Sequence, residues 1–551
     1  MTLLRRVLGR AFASVRRLSR AGRARRAREA LLEAVESCAR GDFGAAETLC
    51  DRAYGLDPAH AETHYLRGLL ACRRGEAEAG AAALEQALAL APAEPLFRAA
   101  LADARLLQQR EEEALVLYSA AFPEIAAEIA SLDDAAMPVK RAHPDWLRVL
   151  RQLALALPDS PRAGDPERIA RIEEVAPRHL LNWGLLLAAR RKWRGAIRLL
   201  EAATAGDPQL GYGHAALALL YTLNRDWQRA LAAARAARER GAEVFAGATD
   251  LCVLAAQFGL GCCARELDPV FDWSAFEIAA EEAGAHLSRL PALERAGFER
   301  FPERALVFFV ACDRTYLEEH ALALACSIRE HAPESAVHVH LFQERGEPAA
   351  ALGALGRALA PVPLSATRET VDFDRYGGRR LYCASARFCR LYQLLAAARG
   401  RVALLDADSL LRGDPAPALA HCRDIALVEA PHEPMWHRYL GGFCAFLPGA
   451  ASERFLGTLA AFLATQLAGG RAREYLDQIG LYAAAHLLER SLASAIERLP
   501  IGRFCDTLFR DGALVWSATQ GKGEESPFTR YKRELLAGLG PSLGAASGPA
   551  S

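Results

Sequence analysis

A spacing of 34 residues narrows the choice of fold more than any other feature of this chain. Pro58 returns as Pro92, each closing an apolar stretch of helical texture (AYGLDP, LALAP), and Gly41 returns as Gly75. Further on, Trp193 and Ala196 return as Trp227 and Ala230 at the same interval. A fixed period of this length suits two helices and their turns, stacked so that each pair covers the apolar face of the next. The small residues keep phase with it. Ala46, Gly80, Ala114, Ala196 and Ala230 share one position, and Ala53, Ala87, Ala121, Ala203 and Ala237 share another, seven residues on. Gly68 and Gly184 occupy a third small position on the preceding helix. At such places helices approach closely, and a larger side chain would push them apart.

These residues resemble the tetratricopeptide (TPR) family, over about three repeats to residue 123 and two more to about 240. The segment between them (PVKRAHPDWLRVLRQLALALPDSPRAGDPERIARIEEVAP) reads as helical but does not fit the repeat. The expected organisation is a basic segment over 1–27, TPR-like repeats over 28–260, a linker over 261–303, a second domain over 304–540 and a disordered tail over 541–551.

Composition excludes whole classes. The chain is 551 residues long and 52% hydrophobic, with 67 basic and 67 acidic side chains. A mostly disordered or collagen-like chain is excluded, and zero net charge gives no argument for nucleic acid. Thirteen cysteines without a C-x-x-C pair make neither a disulfide scaffold nor a zinc ribbon, and fit idle thiols in a reducing cytoplasm. No apolar run reaches the roughly 18 residues of a membrane span. Ten arginines precede the first acid, Glu29, with Leu3, Leu4, Val7, Leu8, Phe12, Val15 and Leu18 between them at roughly helical spacing. Two readings of that segment stay open: a basic amphipathic helix making peripheral contact with an anionic membrane, or a solvated tail. The expected location is cytoplasmic.

Beyond residue 303 the texture changes. ALVFFVAC (305–312), AVHVHLF, RVALLDAD (401–408) and DIALVEA (424–430) read as strands alternating with helices, which implies an α/β sandwich with a mostly parallel sheet. The sharpest chemical signal is RVALLDADSLLRGDP, where an apolar strand runs into Asp406-Ala407-Asp408. Ligands of open α/β sheets bind beyond the carboxyl ends of strands. Two aspartates at i and i+2 on an extended strand point to one side, and a cation between them would neutralise both. Oxygen ligands favour Mg²⁺ or Mn²⁺, which also hold a diphosphate. Haloacid-dehalogenase phosphatases carry such a pair on their first strand, with a lysine and paired acids downstream; here it lies about 100 residues into the domain, with only Lys522 and Lys532 after it. That order excludes them.

The neighbouring segments are similar to those of the family-8 retaining glycosyltransferases of the GT-A fold, from 305 to about 535. By that resemblance VFFVACDRTYLEEHALALACSIREH is the opening nucleotide-binding segment, with Asp313 and Tyr316 on the uridine. SARFCRLYQLL resembles the family's arginine-bearing helix, so that Arg390, with Arg387 and Ser385, reaches the donor diphosphate or sugar. Asp408 is the main metal ligand, and Asp406 bridges metal and ribose. YLGGFCAFLPG, with Gly441 and Gly442, resembles the acceptor-side strand, though the family's usual Asn near it is absent. Asp477-Gln478 looks like the family's Asp-Gln pair near the anomeric carbon. Family members end on His-x-x-Gly, whose His is a third metal ligand; LVWSATQGKGEE has no His, leaving Ser517, Gln520 or water for that place and Lys522 as the cation for the leaving phosphate. His432 and His437 are loop histidines able to bind metal or acceptor, and Trp436 a platform for a sugar or a packing residue.

The implied fold is all-α TPR-like repeats followed by an α/β GT-A-like domain. The implied function is transfer from a UDP-sugar, dependent on Mn²⁺ or Mg²⁺ and with retention, to a glycan, lipid or protein acceptor, the repeats recruiting that acceptor or a protein partner. A second reading stays open, a non-catalytic TPR scaffold with a degenerate transferase domain.

Overall fold

The computed structural model describes residues 22–38, 40–132, 172–242, 247–277, 282–295, 304–343, 349–518, 523 and 525–539. They form two compact units, divided between Ala256 and Gln257. The expected N-terminal helix falls largely, and the 541–551 tail wholly, outside these residues. Among the described residues no helix is long and apolar enough to cross a membrane.

The first unit is a stack of helix pairs. α1 (22–38) pairs with α2 (Phe43–Leu56), α3 (Ala61–Arg73) with α4 (Ala77–Leu90), and α5 (Pro95–Leu107) with α6 (Glu111–Ala121). After the short α7 (Pro123–Ala130) come α8 (Ile172–Ala189) with α9 (Trp193–Gly206), then α10 (Gly211–Asn224) with α11 (Trp227–Glu239), and last α12 (Ala248–Gly259). Every alanine of the two small-residue phases is buried, and Gly80 is buried with them. A methyl group at Gly68 would stand 2.5 Å from Leu84 Cγ, and one at Gly80 would stand 2.3 Å from Cys72 Sγ. Close approach of the two helices is therefore what these positions require.

The third and fourth pairs are neighbours in space although residues 133–171 separate them in sequence. The buried Asp103 of α5 accepts from Tyr118 Oη of α6 and, at 3.0 Å, from Asn182 Nδ2 of α8, and its other oxygen meets His179 Nδ1 at 2.8 Å. Arg190 adds ion pairs to Glu111 at 3.1 Å and Glu112 at 2.6 Å. The stack thus continues across the segment that does not fit the repeat.

The turn within each pair needs one left-handed residue. Gly41 (φ 79°) and Gly75 (φ 82°) supply it without strain, whereas Gln109 (φ 61°), Arg191 (φ 62°) and Arg225 (φ 59°) occupy the equivalent places in the later pairs.

The second unit is built on an eight-stranded sheet of order β1-β4-β3-β2-β5-β8-β7-β9. The strands are β1 (Glu294–Arg295), β2 (Leu306–Asp313), β3 (Ala336–Gln343), β4 (Leu364–Thr370), β5 (Arg401–Leu405), β7 (Ile425–Glu429), β8 (Tyr439–Phe446) and β9 (Ile496–Pro500), with β6 (Ser409–Leu411) and β10 (Val515–Ser517) as a separate ribbon. β2 runs parallel to β3 and β5, and β3 to β4, but β8 is antiparallel to both β5 and β7. The sheet is mixed but mostly parallel, as expected: six of its eight strands run one way, and β1 and β8 run against them. β4 (LSATRET) and β9 escaped the sequence reading. The expected order of classes, stacked helix pairs followed by an α/β unit, is the one observed.

Residues 261–303, expected as a linker, belong to the second unit in their described parts. Trp273 stacks on Phe462 at 5.1 Å, Gln466 bonds to both backbone groups of Asp272, and β1 pairs with β4. Their mixed aromatic texture is that of a segment packed over a helix, here α16 (Ala450–Ala468).

One sheet face is apolar, with Phe308, Val310, Val339 and Leu341 packed under α13 (Leu322–His331) and α14 (Ala349–Leu359). The opposite face under α15 (Arg379–Leu395) is partly polar. There His338 meets Ser365 and Thr367 hydroxyls at 2.7 and 2.9 Å. His340 meets Thr367 at 3.0 Å.

Two predictions follow from these packings. Gln109→Gly and Arg191→Gly remove left-handed strain and should each raise the urea midpoint of the repeat unit by the equivalent of about 0.5–1 kcal/mol. Burial, with His340 adding, pushes the His338 imidazole from 6.5 down to about 3. Because the folded value lies below the unfolded one, the stability linked to it is complete above pH 6.5 and is lost as pH falls toward 3. Unfolding of the second unit should therefore show an acid slope approaching ~1.4 kcal/mol per pH unit, shallower in His338→Gln.

Candidate functional site

β5 ends at Leu405, and Asp406-Ala407-Asp408 form the turn that follows, closed by the Ser409 N–H donating to Asp406 O at 3.0 Å. The two acids do not share an extended strand, as the i, i+2 argument expected; the turn ends the strand one residue before Asp406. Asp406 N–H donates to Gly442 O of β8 at 3.1 Å. From the other side, β10 pairs with β6, and the Ala518 N–H reaches Asp408 O at 3.3 Å. Both carboxylates are half-buried.

Arg387 of α15 is the centre of the constellation. Its Nη1 donates to Asp406 Oδ1 and its Nη2 to Asp477 Oδ2 at 3.0 Å, while its Nε is held by Ala384 O at 2.9 Å. Asp477 opens α17 (Leu476–Leu487). Burial opposes the Arg387 charge, but the two carboxylates outweigh it and hold the guanidinium above its ordinary value. For Asp477 burial dominates, and its carboxyl lies above the usual range despite Arg387. The glycines of β8 make room for this arrangement. A methyl group at Gly441 would stand 2.6 Å from Arg387 Nη2 and 2.8 Å from Asp477 Oδ2, and one at Gly442 would stand 2.8 Å from Asp406 Oδ2.

α17 begins under constraint. Tyr475, just before it, is left-handed (φ 64°), and its ring packs on His437 at 4.6 Å. Gln478 is half-buried, and its buried Oε1 has no hydrogen-bond partner among the described residues. Asp313 ends β2 on the same edge of the sheet. It accepts from the Tyr316 N–H at 2.9 Å and faces Arg379 at 3.7 Å, while Tyr316 itself is exposed.

The structure places Arg390 elsewhere. Its guanidinium is fully buried against Glu369 of β4 and donates to Gln393 Oε1 at 2.7 Å and Pro291 O at 2.8 Å. Of the two arginines expected to reach a ligand, Arg387 is therefore the one beside Asp406 and Asp477, and Arg390 is held in the core. Ser385 is buried in the same helix. Trp436 is fully buried and so packs rather than presenting a face to a sugar. Lys522 and Gln520 lie outside the described residues. Sequence reasoning missed two neighbours, Arg379 beside Asp313 and the buried Cys505, whose thiol is pushed up to about 12 by burial and then by Asp406. No motif marks either residue. All thirteen cysteines are free.

Asp406 and Asp408 are the residues able to hold a cation. Among the described residues no group of three His, Cys, Asp or Glu side chains could hold one, and Ser517 and Ala518 stand at the place where a third ligand was sought. Three carboxylates against one guanidinium leave the site with two formal negative charges. Such a set fits a hard divalent ion that completes its shell with substrate oxygens and water, as Mg²⁺ does, rather than a closed protein cage.

No family model and no curated protein matches the chain. Solved structures similar to it include PilW, described as a widely conserved type IV pilus biogenesis factor (TM-score 0.28, 15% identity, 43% of this chain and 86% of that one). They also include the galactosyltransferase LgtC in complex with donor and acceptor sugar analogues (TM-score 0.31, 13% identity, 42% and 95%). A third is WbbM, a bifunctional glycosyltransferase (TM-score 0.28, 13% identity, 43% and 50%). At such scores these likenesses carry no weight for chemistry, which rests on the geometry above.

Arg387→Ala would leave Asp406 and Asp477 facing a buried gap and should destabilise the second unit by about 3–5 kcal/mol in urea unfolding. Gly441→Ala, which crowds the same guanidinium, should cost about 1–3 kcal/mol. Arg387→Lys should not rescue, since one ammonium lacks the fork that spans two carboxylates.

Proposed function

We propose that the second unit is a family-8-type glycosyltransferase that moves a sugar from a UDP-sugar to an acceptor hydroxyl with retention of configuration. The single observation that carries this reading is Arg387 held between Asp406 and Asp477, over two glycines, at the carboxyl edge of the sheet. A fixed guanidinium flanked by carboxylates offers donors and acceptors together, the combination that sugar hydroxyls need. Asp313 is proposed at the nucleoside end, and Tyr316, exposed just after it, at the base. Asp408, with Asp406, would hold a Mn²⁺ or Mg²⁺ ion, which when bound supplies charge neutralisation of the diphosphate. Arg387 keeps the sugar oriented while the sugar–phosphate bond breaks, and the buried Asp477 stands beside it with Gln478. Lys522 is proposed as the cation near the leaving phosphate.

The helix pairs are proposed to recruit the acceptor or a partner protein, a cytoplasmic location with peripheral membrane contact through the basic N-terminus being part of the same reading. The missing third ligand among the described residues favours the other reading, a scaffold with a degenerate domain. Thermal unfolding of the full chain separates the two. UDP with Mn²⁺ should raise Tm by several degrees at saturation, and Asp408→Ala should remove the shift. A wild-type chain whose Tm ignores UDP with Mn²⁺ supports the scaffold.

A further inference from the structure

Glu369 of β4 and Arg390 of α15 form an ion pair in which neither side chain is reached by water. As a source of stability the pair is poor. Apart from that contact, both Glu369 oxygens, Arg390 Nε and the neighbouring Tyr382 Oη are buried without a hydrogen bond among the described residues. His340 Nε2, 3.7 Å from Glu369, is buried in the same way. Two ions taken out of water lose hydration, and their attraction offsets that loss only where the remaining donors and acceptors are satisfied. An apolar pair of similar volume would hold this part of the core at least as well.

What the pair does have is direction. Arg390 reaches Glu369, Pro291 O before β1 at 2.8 Å, and Gln393 Oε1 in its own helix at 2.7 Å. The other contacts of α15 are less exacting. Phe388 and Leu391 are fully buried, and Cys389 Sγ donates to Ala460 O of α16 at 3.5 Å. At the first turn, the exposed Arg379 and Arg380 face Asp313 at 3.7 Å and Glu474 at 3.3 Å. Apolar contact is non-directional, so it holds the helix down while resisting rotation about its axis only weakly. That angle matters at Arg387, which lies about 4.5 Å along the axis from Arg390 and about 60° around it. At about 6 Å from the axis, a rotation of about 20° moves a group by about 2 Å, enough to break a hydrogen bond. Arg387 must meet Asp406 and Asp477 together, so it tolerates little of this.

We propose that Glu369 and Arg390 are positioning residues: their buried pair fixes the rotation of α15 so that Arg387 stands between Asp406 and Asp477, and it adds nothing to stability. Under the glycosyltransferase reading, on which the ligand half of this inference rests, the sugar of the donor senses that alignment. Both residues act through Arg387, and no bond is made or broken at either.

The test compares the full chain with two double variants, Glu369→Met/Arg390→Met and Glu369→Leu/Arg390→Met, the second guarding against one poor filling of the space. At least one should unfold in urea with a midpoint at or above that of wild type. In that background Arg387→Ala should shift the midpoint by less than half of what it does in wild type, whereas independent sites would add. Calorimetric titrations with Mn²⁺ present supply the ligand half. The affinity for UDP-glucose or UDP-galactose, divided by that for UDP, should fall about tenfold in the double variant, with UDP itself held within threefold. A pair that only stabilises the fold would move the midpoint and leave that ratio alone. Failure of both double variants to fold, a much lower midpoint in both, additive shifts for Arg387→Ala or an unchanged ratio would overturn the inference. So would a wild type that binds UDP but neither UDP-sugar. A wild type that binds none of the three with Mn²⁺ overturns the enzymatic reading itself, and the urea series still decides whether the pair positions Arg387.

Discussion

A guanidinium gripped by two carboxylates is the interaction on which the second unit's site depends. Residues 387, 406 and 477 come from a helix, a strand end and the start of another helix, and one side chain fixes all three relative to each other. Removing it from water is costly, so the arrangement holds only if both partners stay in place and nothing intrudes. Gly441 and Gly442 meet that second condition, since a methyl group at either would stand under 3 Å from one of the paired side chains and displace it. What remains after the internal pairing is an excess of negative charge at a strand end, which sets the kind of ligand the site can accept.

The first unit meets a similar problem with different means. Its helix pairs stack through alanine and glycine, so apolar contact alone would leave many registers nearly equal in energy. Asp103 removes that freedom at one junction. Its buried carboxylate is satisfied only when Tyr118, Asn182 and His179 all stand in one arrangement, which ties the third pair to the fourth. Polar satisfaction in a close-packed interior thus specifies which helices are neighbours, while burial supplies the stabilisation.

The repeat was legible because its phase is carried by residue size, and size is visible in the sequence. The turns were legible only in part. Gly41 and Gly75 signal a left-handed residue, but Gln109, Arg191 and Arg225 take the same conformation with no local sign of it. β4 stayed hidden for a related reason. Ser365, Thr367 and Glu369 read as a loop, yet they face a buried layer of histidine, tyrosine and arginine side chains. Strand recognition by apolar pattern fails where the face being buried is itself polar. The turn after β5 was misread for the opposite reason: an apolar run signals a strand well but says little about the residue at which it stops.

Arg387 and Arg390 show where a local pattern stops deciding. At about 100° per residue, positions three apart on a helix differ by only about 60°, so both arginines lie on the buried side of α15 and both are plausible ligand binders by motif. Their fates are set by partners that no window around 387–390 contains. Glu369, on the strand under the middle of the helix, captures Arg390 in the core, and Asp406 and Asp477, beyond the strand ends, take Arg387 to the edge. A motif can nominate the helix that carries the cation. Choosing the residue requires knowing which carboxylate the sheet topology brings beneath it.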